Sequence, residues 1–149
     1  MPILQCVPPR HQKGIEVAHM NRPEQALQIS LIRDLRRILP PKCYITAFPA
    51  GGGGKVRGAF LKRMGLRPGF PDILLIYHGQ AYGLALKSPK GKLTKSQRET
   101  HKELRDAGMY VEVVWSLDDA LRAVTLWGIP VLLKANPWIA RKIELRSER

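Results

Sequence analysis

The chain has 149 residues, 44% of them hydrophobic, and carries 25 Lys and Arg against 12 Asp and Glu, for a net charge of +13 and a pI near 10.3. A chain of this length can bury roughly 68–70% of its unfolded surface without a disulfide or metal staple; its composition excludes general disorder, and no apolar run approaches the roughly 20 residues of a membrane span. The basic excess implies a polyanionic partner, either nucleic acid or an anionic membrane surface.

Residues 1–20 hold Pro8, Pro9 and Gly14 and little periodicity, which predicts a loosely attached arm. His19-Met20 also fits a cloning junction, in which case the arm is foreign. No charged segment leads into an apolar stretch, so no secretory signal is expected. Cys6 and Cys43 make no disulfide framework, and a reduced, intracellular protein is the expectation. Asn21 as a cap and Pro23 in the first turn start a helix. Leu27, Leu31, Leu35 and Ile38 continue it at helical spacing, and Pro40-Pro41 stops it. Tyr44 to Phe48 predicts a short strand. Residues 49–71 hold seven glycines, five Lys or Arg and no acid, with one or two turns of helical character from Ala59 to Met64. Asp72 to Tyr77 predicts a strand, His78-Gly79-Gln80 a turn, and Ala81 to Lys87 the return strand. Ser88 to Lys92 is a loop. Thr94 opens a helix that Gly108 ends, and Met109 to Trp115 is a fourth strand. Ser116 caps a last helix, with Asp119 completing a capping box and Gly128 ending it. Further on, Pro137 to Arg146 has helical character. The order predicts an α/β fold, a small mixed sheet flanked by helices. The expected organisation is an arm at 1–20, a domain at 21–131 and a tail at 132–149.

Charge is segregated along this order. Leu35 to Arg98 holds 13 Lys and Arg and a single acid, Asp72, so nearly all the excess surrounds one carboxylate. Solubility alone gives no reason for that arrangement.

The hairpin decides what stands beside Asp72. A two- or four-residue turn around Gly79 pairs residues whose numbers sum to an odd value. Asp72 then lies opposite position 85 or 87, and Asp72, position 85 and Lys87 share one face. A three-residue turn would set Asp72 against Leu86 instead. The odd register is preferred because it sorts Ile73, Leu75, Leu84 and Leu86 together toward a core. An acid beside a lysine at one end of a sheet is either a strand-end ion pair worth about 0–1 kcal/mol or part of a metal-dependent phosphodiesterase. In the latter a carboxylate holds a divalent ion and the lysine supports the phosphate's growing charge.

Gly69-Phe70-Pro71-Asp72-Ile73-Leu74, then Gly83-Leu84-Ala85-Leu86-Lys87, then Ser88-Pro89-Lys90-Gly91-Lys92-Leu93-Thr94-Lys95-Ser96-Gln97 resembles the PD-(D/E)xK nucleases. More closely, the string is similar to the virus-type replication-repair nuclease (VRR-NUC) domain over about Pro23 to Val131. The resemblance implies a restriction-endonuclease-like core and a magnesium- or manganese-dependent hydrolase of DNA, with a role in DNA repair. It makes Asp72 the metal-binding aspartate, Lys87 the catalytic lysine and the Leu86 carbonyl a main-chain ligand. Gln97 matches a glutamine on the following helix, and Glu24 an acid on the first helix. Stand-alone relatives resemble Holliday-junction resolvases and act as homodimers, which implies branched DNA as the partner and a bacterium or a virus-infected cell as the setting. No organic cofactor and no membrane partner are implied.

Plainer readings stand beside these. Gln97 is the fourth residue of a valid capping box. Glu24 is a first-turn acid favoured by the helix dipole. His101 reads as a helix-surface or packing residue, and His11, His19 and His78 form no zinc-ligand spacing with Cys. One position departs from the family pattern: an acid is expected two residues before the lysine, and Ala85 stands there. Losing that carboxylate weakens the hold on a hard cation, so the chain is expected to bind DNA and cut it poorly. A deliberate Glu→Ala exchange and a natural nuclease relic both account for it; the intact surroundings favour the former.

The basic stretch suits a DNA-facing role. Gly51 to Gly54 can bring N–H groups to phosphate, with Lys55, Arg57, Lys62, Arg63 and Arg67 around them, and Lys90, Lys92 and Lys95 extending the surface. The alternative is a solvated flexible loop. The leading expectation is a structure-selective DNA endonuclease. The rivals are a non-catalytic DNA-binding or architectural protein and, more distantly, a membrane-surface protein.

Overall fold

The structure, a computed structural model, describes residues 23–48 and 54–132. Helix α1 spans Pro23–Ile38, with Glu24 in its first turn and Arg36 and Arg37 in its last, each on the side the helix dipole favours. Its stripe of Leu31, Leu35 and Ile38 is fully buried. Four strands follow, β1 (Tyr44–Ala47), β2 (Ile73–Tyr77), β3 (Gln80–Leu86) and β4 (Tyr110–Val114), with helices α2 (Gly54–Arg63), α3 (Lys95–Asp106) and α4 (Leu117–Leu126) between and after them.

The sheet order is β1-β2-β3-β4. The first two pairings are antiparallel, and β3 with β4 is parallel. A parallel pair needs a crossover, and α3 supplies it. Ile45, Ile73, Leu75, Leu84, Leu86 and Val114 project from one face and pack with α1 and α4 in the main core. Ala85 and Val111 are buried too but lie outside that cluster, on the face α3 covers. Arg105 near the end of α3 donates to the Val111 carbonyl at 2.7 Å and fastens the helix to β4. No helix among the described residues is long and apolar enough to cross a membrane.

The β2–β3 hairpin turns on His78 and Gly79, with φ of 48° and 77°. These are the positive values a two-residue hairpin loop requires. Tyr77 pairs with Gln80 and Ile73 with Leu84, so the register is the odd-sum one. Helix α2 differs from expectation: it begins at Gly54 and runs for 10 residues, where the composition suggested one or two turns from Ala59. Two glycines hide it from propensity, but its end is well made. Gly65 at φ 96° lets its N–H reach the Lys62 carbonyl and the Leu66 N–H reach the Leu61 carbonyl, and Lys62 and Arg63 sit where the dipole favours cations. The cap of α4 also differs in detail. Ser116 accepts from the Asp119 N–H as expected, whereas the Asp119 carboxylate takes the Trp115 N–H at 3.2 Å. The expected helix at 137–146 and the glycines 51–53 lie outside the described residues.

Leu35 is 0% exposed and Ile29, on the same helix, 68%. Leu35→Ala is expected to cost about 2–5 kcal/mol of unfolding free energy and Ile29→Ala to stay within about 0.5, as read from urea midpoints of the two variants.

Candidate active site

Asp72 stands one residue before β2, where its carbonyl accepts the Phe48 N–H at 2.8 Å and carries the β1 pairing past the strand's end. Continuing the hairpin register by one residue sets Asp72 opposite Ala85, and Lys87 lies two residues on, on the same face. Continuing it once more sets Pro71 opposite Leu86. Proline has no N–H to give, so the Leu86 carbonyl receives no ladder bond from it. The Leu86 N–H is taken by the Asp72 side chain, whose Oδ2 accepts it at 2.7 Å. The Leu86 carbonyl points the same way as its N–H, toward the Asp72 edge, with no N–H of Pro71 to meet it.

The first turn of α1 reaches the same place from the far side of the sequence. Glu24 Oε1 accepts the N–H of Ser88, the residue after Lys87, at 3.1 Å. Lys87 is only 8% exposed, and its backbone N–H bonds the Val114 carbonyl at 3.0 Å, extending the β4 pairing. Burial raises the pKa of the Asp72 carboxyl above its ordinary value. The Leu86 N–H and the Lys87 charge oppose that shift, and the charge of Glu24 adds to it. Two carboxylates pressed together and partly dehydrated favour a cation between them.

A loop and a helix start complete the surroundings. Gly69, at φ 87°, lies so close to α3 that a Cβ there would sit 2.6 Å from the Ser96 carbonyl oxygen and 2.8 Å from the Gln97 Cα. Thr100 Oγ1 donates to the Pro68 carbonyl at 2.7 Å, Arg67 pairs with Glu103, and the Phe48 and Phe70 rings meet at 4.6 Å. These contacts fix the approach to Asp72 against the first turns of α3. Between them and α2 lies a cleft of about 430 Å³. Gly54, Gly58, Leu61 and Lys62 of α2 form one wall, Arg67 to Phe70 the floor, and Asp72, Thr94, Ser96 and Gln97 the other wall.

Gln97 does close the helix start, its Oε1 accepting the Thr94 N–H at 3.0 Å while its own N–H bonds Thr94 Oγ1 at 3.2 Å. It also faces the cleft that holds Asp72, so capping and a place at the site coexist. Lys62 and Arg67 line that cleft. Lys55, Arg57 and Arg63 are exposed on α2, and Lys90, Lys92 and Lys95 are exposed beyond Lys87. Ala85 is 1% exposed and presents a methyl group beside Asp72. Among the described residues no three His, Cys, Asp or Glu gather as a metal cluster. The donors that do converge, two carboxylates and a main-chain carbonyl, are all oxygen, which suits magnesium or manganese.

Of the two readings the sequence left for His101, helix surface or packing, the structure shows packing. It is 0% exposed, and neither ring nitrogen has a hydrogen-bond partner. Burial first, then the charges of Arg105 and Lys87, lower its pKa below the ordinary 6.5, while the Gly69 backbone opposes them. One signal was present: His101 lies one turn after Gln97 and so shares its face.

No protein-family model matches the chain, and no curated protein does. Among solved structures, a "VRR_NUC domain protein" superimposes with a TM-score of 0.57 at 20% identity, covering 77% of this chain and 91% of that one. A second, named "VRR_NUC domain", gives 0.48 at 18% identity over 69% of this chain and 95% of its own. The first likeness shows that the mixed sheet with its flanking helices has the fold of a VRR-NUC domain protein.

Two outcomes follow from this geometry. Gly69→Ala is expected to cost at least about 1–3 kcal/mol in urea unfolding, because the new methyl meets backbone and the φ is positive. The unfolded chain protonates its histidines below about 6.5 while the folded chain resists doing so at His101, so acidification through that value destabilises the fold. His101→Leu is therefore expected to lose less stability than the parent between pH 7.5 and 5.5; an equal loss in both chains would contradict the burial of a neutral ring.

Proposed function

We propose that this fold is that of a divalent-metal-dependent DNA endonuclease acting on branched DNA of the Holliday-junction type, and that Ala85 has disarmed it. The observation that carries the reading is the common face of Asp72, position 85 and Lys87, opening beside a cleft whose charged walls outside Asp72 are basic. In this reading Asp72, Glu24 and the Leu86 carbonyl hold magnesium or manganese. When bound, such an ion polarises the phosphate and acidifies a water.

The chain's own residues do the rest. Lys62 and Arg67 hold the strand's phosphates in the cleft. Lys87, kept dry by its burial, sets its ammonium against a non-bridging oxygen, where its charge counts for more as negative charge grows on the phosphate. Gln97, fixed through its oxygen to Thr94, has its NH₂ group left for the DNA backbone. Water attacks phosphorus in line, the P–O bond to the leaving strand breaks, and the departing oxygen takes a proton. A glutamate at 85 would point at the same spot as Asp72 and supply the missing third carboxylate. The VRR-NUC resemblance further suggests a homodimer, which would bring two such sites to two strands of one junction. Ala85 itself favours a second reading, a protein that binds DNA without cutting it.

Ala85→Glu tests the two. Incubated with a labelled four-way junction and magnesium or manganese, it is expected to nick the DNA, and adding Lys87→Ala is expected to slow that by about 10²–10³-fold. Absence of cleavage on four-way, flapped and splayed DNA, for both Ala85→Glu and Ala85→Asp, would leave the binding protein as the reading.

A further inference from the structure

Helix α2 is built unlike its neighbours. None of its residues is buried. Val56, Phe60 and Met64 are 86%, 59% and 69% exposed. Spaced by four, they form one stripe, since Met64 continues the helix through its N–H to the Phe60 carbonyl at 3.0 Å. The cleft wall made by Gly54, Gly58, Leu61 and Lys62 lies on the nearly opposite side, roughly 145° away around the axis. The helix thus has two working sides. One opens toward Asp72, where a Cβ added at Gly58 would meet nothing within 4 Å. The other is apolar and uncovered among the described residues.

Charge selects the occupant of that second side. From Gly54 to Arg67 every charged residue is basic: Lys55, Arg57, Lys62, Arg63 and Arg67. A second copy laid α2 against α2 would oppose the four positive charges of the helix, Lys55, Arg57, Lys62 and Arg63, with four more, a costly arrangement. Cations flanking an exposed aromatic ring are instead suited to a polyanion that also offers flat apolar faces, which is a nucleic acid with unstacked bases. The helix is secured at its C-terminal end, through Gly65, Leu66 and the loop tied to α3 by Thr100 and Pro68.

We propose that α2 stands between the parting strands of a branched DNA, its Gly54–Gly58 side lining the path of the strand that reaches Asp72 and its Val56–Phe60–Met64 stripe stacking on unpaired bases of the other. The proposal rests on the DNA partner of the reading above and is independent of its catalysis. It assigns branch selectivity to the apolar stripe and general affinity to the cations.

The test compares the unsubstituted full chain with Val56→Ser/Phe60→Ser/Met64→Gln and with Phe60→Ala alone. Binding to a four-way junction, a splayed fork and a linear duplex of equal length is followed by fluorescence anisotropy. The preference for branched over linear DNA is expected to fall about tenfold or more, the scale of one or two lost stacking contacts. Linear affinity and thermal midpoint are expected to stay unchanged. An unaltered preference overturns the proposal. So does a lowered thermal midpoint in Phe60→Ala, which would mean that the chain's own segment covers the stripe. A change in oligomeric state would mean that a second copy covers it. Loss of binding to phosphatidylserine vesicles with DNA binding intact would mean a membrane does. If Ala85→Glu fails to cut while the preference falls, the enzyme reading is lost and this one stands. If the unsubstituted chain binds no DNA, both are lost.

Discussion

The hydrogen bond from the Leu86 N–H to the Asp72 carboxylate is the joint on which the site depends. It lies where Pro71, two residues before β2 begins, offers the Leu86 carbonyl no N–H, and the side chain of the next residue accepts the Leu86 N–H in place of a continued backbone ladder. This does two things at once. It holds the carboxylate in the plane of the strand ends, beside Ala85 and Lys87, and it leaves the Leu86 carbonyl facing the same edge. A charge held this way is poorly hydrated, and Glu24 makes its position less favourable still. A structure concerned only with stability gains little from such an acid pair.

Keeping that acid in place takes support from outside the sheet. The crossover from β3 to β4 must pass over one face, and α3 does so with its first turn directly against the loop that delivers Asp72. Contact there is backbone on backbone at Gly69, so the loop's distance from α3 is set by steric exclusion as well as by the Thr100 hydroxyl. His101 lies beneath the same junction with neither ring nitrogen bonded, a cost that packing elsewhere must offset. The position of the loop that carries Asp72 is thus set by α3.

Much of this was readable from the chain, for local reasons. Hairpin parity follows from where the apolar residues fall: Ile73, Leu75, Leu84 and Leu86 share a face only in an odd-sum register, and the two-residue turn at His78-Gly79 selects which one. Helix ends at Gly108 and Gly128 and caps at Thr94 and Ser116 are chemistry within a few residues. What escaped was either non-local or contrary to propensity. Nothing near Glu24 announces a partner 64 residues away at Ser88. The first half of α2 contains Gly54 and Gly58, which propensity counts against a helix, and no buried stripe compensates for them. His101 stayed open between a helix-surface and a packing residue because its helix is highly charged and mostly exposed; the structure buries it.

Position 85 shows how charge balance and chemistry are linked here. With alanine, the neighbourhood holds two acids and one lysine, and burial raises the pKa of the Asp72 carboxyl. A glutamate in its place would add a third carboxylate on the same face, almost without water. Lys87 alone cannot neutralise three, so repulsion among them would persist until a cation arrived. The acid that would make the site competent for metal chemistry is therefore also the one that would make the empty site costly. On the proposed reading, a methyl group at this position both withholds a ligand and spares the site that repulsion.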